Sequence, residues 1–314
     1  MIVLFGSCYQ VNKEDNNTDS EKQSILLNAF INSKDSNALK FQNIKTLNND
    51  SVQTTVIMDL AYHYLEEVDS ANFRFWNSKA FDQIKNKNSL NFGFSHWDLA
   101  YFFEETHILD SAYYHYYAAF KIFENSNDNL NSAHMLLNMA GLQNKINDHI
   151  GSEVNTVRAL DLLEETHDLR QKYRAHNTMA IIGNGLQDYE RSLENHFEAR
   201  KVVLQLNDPV LNSTNLNNIG VVYKNLEDYE SSHSYYDSAL EYDSLKFADP
   251  YLYAKILDNQ AYAEFHLDYE PEVFYPKSCN ALQLRDSLND IPGKIINHIH
   301  LGDRKSTRLN SSHQ

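Results

Sequence analysis

The stretch Asn218–Glu230, NIGVVYKNLEDYE, sets a small residue (Gly220), an aromatic (Tyr223) and an Asp-Tyr pair (Asp228, Tyr229) at fixed offsets. The pattern recurs. Gly220 belongs to a series of small residues, Ala61, Ala100, Ala140, Ala180, Gly220 and Ala261, separated by steps of 39, 40, 40, 40 and 41. A second series, Ala80, Ala119, Ala159, Ala199, Ala239 and Cys279, follows the same period. An apolar residue precedes the first series in five copies (Leu60, Leu99, Met139, Met179, Ile219), with Gln260 in the sixth. An acidic turn marker repeats as Asp148, Asp188, Asp228 and Asp268. Such a period marks a solenoid, in which each unit buries its apolar face only against its neighbours.

Within a copy the apolar spacing is helical. Leu216, Ile219, Tyr223 and Leu226 share one stripe, and Tyr236, Ala239 and Leu240 share another on the following segment. Each copy therefore reads as a helical hairpin, with small residues where its two helices cross, because a large side chain there would push the axes apart. The composition agrees. With 9 Gly and 5 Pro in 314 residues, the chain lacks the turn signals that many short strands require. Its 42% hydrophobic content suffices for a core.

Leu216, Ile219-Gly220, Tyr223, Tyr229, Tyr236 and Ala239 resemble the tetratricopeptide (TPR) pattern of a large residue, Leu-Gly, Tyr, a small residue, an aromatic and Ala. The resemblance covers residues 51–302 and implies an all-α, right-handed α-solenoid of about six hairpins. The 40-residue unit is longer than the usual one of about 34, and Gly183 and Gln143 stand where the family has a first-helix aromatic. The second helices are expected to begin near Ser70, Asp110, Ile150, Tyr189, Tyr229 and Glu270, with Pro276 kinking the last. Residues 20–50 are expected to form two helices that cap the stack.

Both ends depart from the repeat. MIVLFGSC, residues 1–8, resembles the end of a bacterial lipoprotein signal with Cys8 as the lipidated residue, followed by a polar tether to residue 19. This reading places the chain on the periplasmic side of a bacterial envelope, with Cys8 as its sole membrane attachment. It also places the true start upstream of Met1. The competing reading is an apolar N-terminus with an incidental Cys. At the other end, residues 303–313, DRKSTRLNSSH, match in order the translation of a common sequencing adapter. Residues 303–314 are accordingly set apart from the native protein, leaving Gly302 as the small residue of a seventh hairpin.

Chemistry was sought in the residue patterns. The net charge of −16 opposes nucleic-acid binding, which depends on clustered Lys and Arg. IIGNGLQD (181–188) lacks the third glycine of a dinucleotide loop and lies in a helical segment. No His-Glu-x-x-His occurs among the 14 His, and His134, His176 and His196 read as scattered rather than as metal ligands. Glu104-Glu105 and Glu164-Glu165 are adjacent residues that diverge around a helix. Cys279, in the small-residue series, reads as a buried thiol. The sequence therefore assigns no catalytic residue, metal or cofactor.

What remains is binding. The TPR resemblance implies that the first helix of each hairpin lines a groove, with the positions two and three before the crossing residue facing it. These are Leu137 and Asn138, Asn177 and Thr178, Asn217 and Asn218, and Asp258 and Asn259. Asn both donates and accepts, so a ladder of Asn138, Asn177, Asn217, Asn218 and Asn259 suits the backbone of an extended peptide. The alternative use of these amides is to brace adjacent turns. Tyr62, Trp97 and Tyr101 form an aromatic patch on the same face. The sequence thus points to a protein- or peptide-binding scaffold, with the sensory portion of a transcriptional regulator or histidine kinase as the alternative.

Overall fold

The computed structural model describes residues 17–311, with side chains from 24 to 302; Cys8 lies outside the described residues. All regular structure among them is helical. The fold divides into two compact units, residues 2–146 with 161–166, and residues 147–160 with 167–314.

The first unit begins with α1 (Asn17–Asn32) and α2 (Asn37–Lys45), both packed on α3 (Asp50–Glu66). The hairpin α3/α4 (Ser70–Gln83) is followed by α5 (Leu90–Glu105) with α6 (Leu109–Asn125), and then by α7 (Asn129–Lys145). Phe73, Trp76, Tyr116, Phe120 and Phe123 fill its interior. The Tyr116 hydroxyl donates to Glu104 Oε2 (2.8 Å), and Lys145 Nζ, from α7, donates to Oε1 of the same carboxylate (2.6 Å).

The second unit begins with α8 (His149–Leu163). Its hairpins are α9 (Leu169–Gly185) with α10 (Tyr189–Leu206), α11 (Pro209–Asn225) with α12 (Tyr229–Leu240), and α14 (Pro250–His266) with α15 (Pro271–Ser287). The short α13 (Leu245–Ala248) is inserted before α14, and α16 (Ile291–Ser311) packs on α14 and α15. The residues set apart as adapter-derived continue α16 as helix to Ser311.

All six second helices start within one residue of the positions read from the sequence. The first small-residue series is buried throughout, with Gly220 facing Tyr236 so closely that a Cβ would stand 2.6 Å from Cε1 of the ring. A Cβ on Gly183 would stand 3.0 Å from the Ser192 backbone N, which explains the missing aromatic: α10 occupies its space. Buried serines fasten the crossings, Ser192 Oγ donating to the Ala180 carbonyl (2.7 Å) and Ser232 Oγ to that of Gly220 (2.9 Å).

One expectation needs correction. Cys279 is only half-buried, and Ala281, 0% exposed, holds the crossing position in α15. Asp148, Asp188 and Asp228 are N-caps, each accepting from a backbone N–H three residues on (2.9–3.2 Å), but Asp268 is the left-handed turn residue itself (φ 56°). The 41-residue step to Ala261 sets Asp268 in the turn, and one further residue before α15 completes the two-residue shift of the crossing. Helix α15 continues across Pro276, its sixth residue, where the missing N–H removes one backbone hydrogen bond.

Each hairpin turn passes through one residue with positive φ: Val68, His107, Asn147, Gln187, Glu227 and Asp268. None is glycine, so the turns carry no glycine signal although the conformation favours it.

Candidate ligand-binding face

The residue two before each crossing and the residue three before it differ in where they lie. Adjacent helical residues point about 100° apart, so one column can face outward while the next packs inward. In the second unit Thr178 and Asn218 are half-buried, whereas Asn217 and Asp258 are 0% exposed. Asn177 is half-buried and Asn259 is 6% exposed.

These amides bond to one another across three first helices. Asn259 Nδ2 donates to Asn217 Oδ1 (3.0 Å), Asn217 Nδ2 to Asn218 Oδ1 (3.2 Å), and Asn218 Nδ2 to Asn177 Oδ1 (3.1 Å). A second rung joins Asn225 Nδ2 to Asn184 Oδ1 (2.8 Å). Asn217, expected to face a ligand, is instead wholly enclosed, its side chain linking α11 to α14. The ladder ties hairpin to hairpin rather than bracing turns. Among its rungs, Asn218 and Asn259 also line a cleft of about 610 Å³ on this unit, together with Ile181, Asn184, Val221 and Tyr251. Asn218 keeps a second N–H and a second carbonyl lone pair beyond the ladder bonds.

Beneath one end of the cleft lies a buried polar cluster. The Asp258 carboxylate accepts from Asn297 Nδ2 (2.6 Å), His300 Nδ1 (2.9 Å) and Arg285 Nη1 (3.4 Å). Arg285, 3% exposed, also reaches Asn297 Oδ1 (2.6 Å) and the Gly293 carbonyl. Its Nε faces Asp290 Oδ2 at 3.6 Å. Lys224 and Lys255 line the cleft as well. Burial pushes both ammonium groups down, and they repel one another; Asp258 partly offsets this for Lys224, while Arg285 adds to it for Lys255. The sequence showed neither the lysines nor the cluster, in which Asp258 is 27 to 42 positions from its side-chain partners.

In the first unit Tyr62, Trp97 and Tyr101 are each half-buried. Trp97 is fastened in an aromatic group, edge-on to His134 (5.2 Å between centroids, 89°) and stacked on Phe94 (6.2 Å, 20°). Burial pushes the Tyr101 hydroxyl up, with Glu105 and Glu104 adding to the effect. Asn138, on α7, is half-buried. The column that carries Asn in the second unit carries carboxylates here, Asp59 on α3 and Asp98 on α5. Burial, with the neighbouring charge of Asp59, pushes Asp98 up to about 8.

Asp98 has a thermodynamic consequence. A carboxyl whose native value exceeds its unfolded one binds more protons in the folded state across the intervening range, so stability falls as pH rises from about 4 to about 8. Asp98→Asn is expected to melt several degrees above the parent at pH 8, with the gap closing near pH 4. Thermal melts at the two pH values check this, and a constant offset would contradict it.

Among the described residues no three His, Cys, Asp or Glu side chains gather as metal ligands, and no helix is long and apolar enough to cross a membrane.

No family model and no curated protein matches the chain. Solved structures do. The apo form of RapI aligns with a TM-score of 0.66 at 15% identity, covering 92% of this chain and 85% of that one. A signal transduction ATPase with numerous domains and a tetratricopeptide repeat sensor, from Pyrococcus horikoshii, aligns at 0.60 and 12%, covering 92% and 44%. Aspartyl phosphate phosphatase F from Bacillus subtilis aligns at 0.57 and 12%, covering 93% and 79%. At these identities the likeness establishes the fold, an α-solenoid of TPR-type helical hairpins.

Proposed function

We propose that this chain is a non-catalytic scaffold that holds a protein or peptide segment against the first-helix face of its second unit. The observation that carries the reading is the cleft of about 610 Å³, lined by Asn218, Asn259 and apolar side chains such as Ile181 and Val221. Amides that retain donors and acceptors, set among apolar patches, suit an extended backbone whatever its sequence. Anchoring at the envelope through Cys8 belongs to the same proposal and rests on the MIVLFGSC stretch alone.

A second reading is that the repeats sense a ligand for an output module elsewhere in a longer protein. It is favoured by the Pyrococcus horikoshii protein, whose name includes a tetratricopeptide repeat sensor and of which the aligned region is 44%. Both readings require an occupied cleft.

The test is selection of displayed random octapeptides on the purified chain. Enriched peptides are expected to lose at least about tenfold in affinity on Ile181→Asn or Asn218→Ala, with little change in melting temperature. Ile181 is 44% exposed, so its loss leaves the core intact. Failure to enrich any peptide, or capture indifferent to both substitutions, would refute the assignment.

A further inference from the structure

We infer that His96 of α5 and His115 of α6 form a binding site for a divalent late first-row transition metal, Cu2+ foremost, held through both Nδ1 atoms. The two Nδ1 atoms stand 2.8 Å apart across the hairpin, with ring centroids 5.0 Å apart. Each histidine lies one turn before the small residue of its helix, Ala100 or Ala119. At the same positions α3/α4 sets Ile57 and Trp76, α11/α12 sets Leu216 and Tyr235, and α9/α10 sets His176 and Asn195. Apolar side chains thus meet the packing need there, and among these hairpins two imidazoles meet only in α5/α6. Aromatic walls hold both rings: Phe81 and Phe92 stand edge-on to His96 (4.8 and 4.7 Å between centroids), and Phe103 stacks on His115 (5.5 Å, 13°).

The spacing selects the metal. Two nitrogens each about 2.05 Å from one ion lie about 2.9 Å apart in cis positions of a square or octahedral set, and about 3.3 Å apart in a tetrahedron. The observed 2.8 Å matches the first, the geometry that Cu2+ and Ni2+ take with nitrogen and oxygen donors. A bond between two Nδ1 atoms also requires one with its proton and one without, so one lone pair already points into the gap. When a metal enters, the bridging proton passes to Nε2 of its own ring, and both imidazoles bind as neutral ligands. Neither Nε2 is among the buried atoms that lack a partner. The ion lies off the line between the nitrogens, so the rings turn toward it, and water fills its remaining positions. His115, half-buried, is the more exposed ring, His96 being 8% exposed. One charge opposes the cation: Lys87 repels positive charge at His96, while its ammonium donates to the Phe81 carbonyl and lies over the Phe92 ring (4.4 Å).

The test uses the full chain, freed of metal, with Cu2+, Ni2+ and Zn2+ alone as probes. Calorimetric titration is expected to show one Cu2+ per chain bound at least about tenfold more tightly than the other histidines bind it, and electron paramagnetic resonance to show coupling to two nitrogens. His115→Gln should abolish both the tight class and the coupling. So should His96→Ile with His115→Trp, which copies the α3/α4 pair and guards against a variant that fails to fold. Ni2+ is expected to bind more tightly than Zn2+, as a cis site requires, and Lys87→Met to tighten Cu2+ about threefold by removing the opposing charge. A copper isotherm unchanged by both histidine variants, adventitious binding only, would overturn the assignment. Zn2+ bound more tightly than Ni2+ would overturn the cis geometry and with it the choice of metal.

Discussion

Asp258→Ala is expected to destabilise the second unit by about 3–5 kcal/mol, the cost of breaking a buried ion pair by removing one partner. Asp258 is 0% exposed and holds three donors at once, from α15 and α16. Its loss leaves Arg285, 3% exposed, with only Asp290 at 3.6 Å to answer its charge. The cluster is the main polar tie of α16 to the preceding hairpin, so the change should also speed amide exchange in α16 before the rest of the unit. Asp258→Leu combined with Arg285→Met should recover much of the loss, since an apolar pair of similar volume leaves no orphaned charge. Urea unfolding with exchange measured helix by helix checks both. A loss below about 1 kcal/mol would mean that the cluster is solvated in solution.

Gly220→Ala is the second large effect. In an exposed helix the change would stabilise by roughly 0.5–1 kcal/mol. Here the new Cβ would stand 2.6 Å from Cε1 of Tyr236, a ring that is 0% exposed and enclosed by Leu216, Ala239, Leu252 and Ile256. Overpacking of this kind costs about 1–3 kcal/mol, so the net sign is destabilising. The cause is specific and can be isolated. Tyr236→Leu removes the clashing ring atoms, and a double-mutant cycle should give Gly220→Ala a much smaller cost in that background. Equal costs in both backgrounds would place the strain elsewhere.

The fold was legible because its signal is local and repeated. Small residues at a 40-residue period located every hairpin, and helical spacing within each copy located the stripes. Legibility failed where the period slipped. The 41-residue step to Ala261 and the additional residue before Pro271 moved the crossing from Cys279 to Ala281, and left Asp268 in the turn itself rather than at the N-cap that its counterparts hold. The ladder was half legible. Its residues were identifiable from register, but register could not tell that Asn217 packs inward while Asn218, one position on, borders the cleft. Nor could it show that these amides bond mainly to one another. The Asp258 cluster and the lysine pair stayed hidden because their members come together only when separate helices stack. Asp98 stayed hidden for a different reason: it holds in the first unit the column that carries amides in the second, and nothing in its local pattern distinguishes it from a solvated helix carboxylate.

The most direct test of the binding account is photo-crosslinking of selected octapeptides from benzoylphenylalanine placed at Ile181, beside the cleft, or at Ser234, an exposed position on the second helix α12. Crosslinking from position 181, absent from position 234 and competed by unlabelled peptide, is the predicted result. Crosslinking from 234 with none from 181 would contradict it and move the binding surface to the second helices.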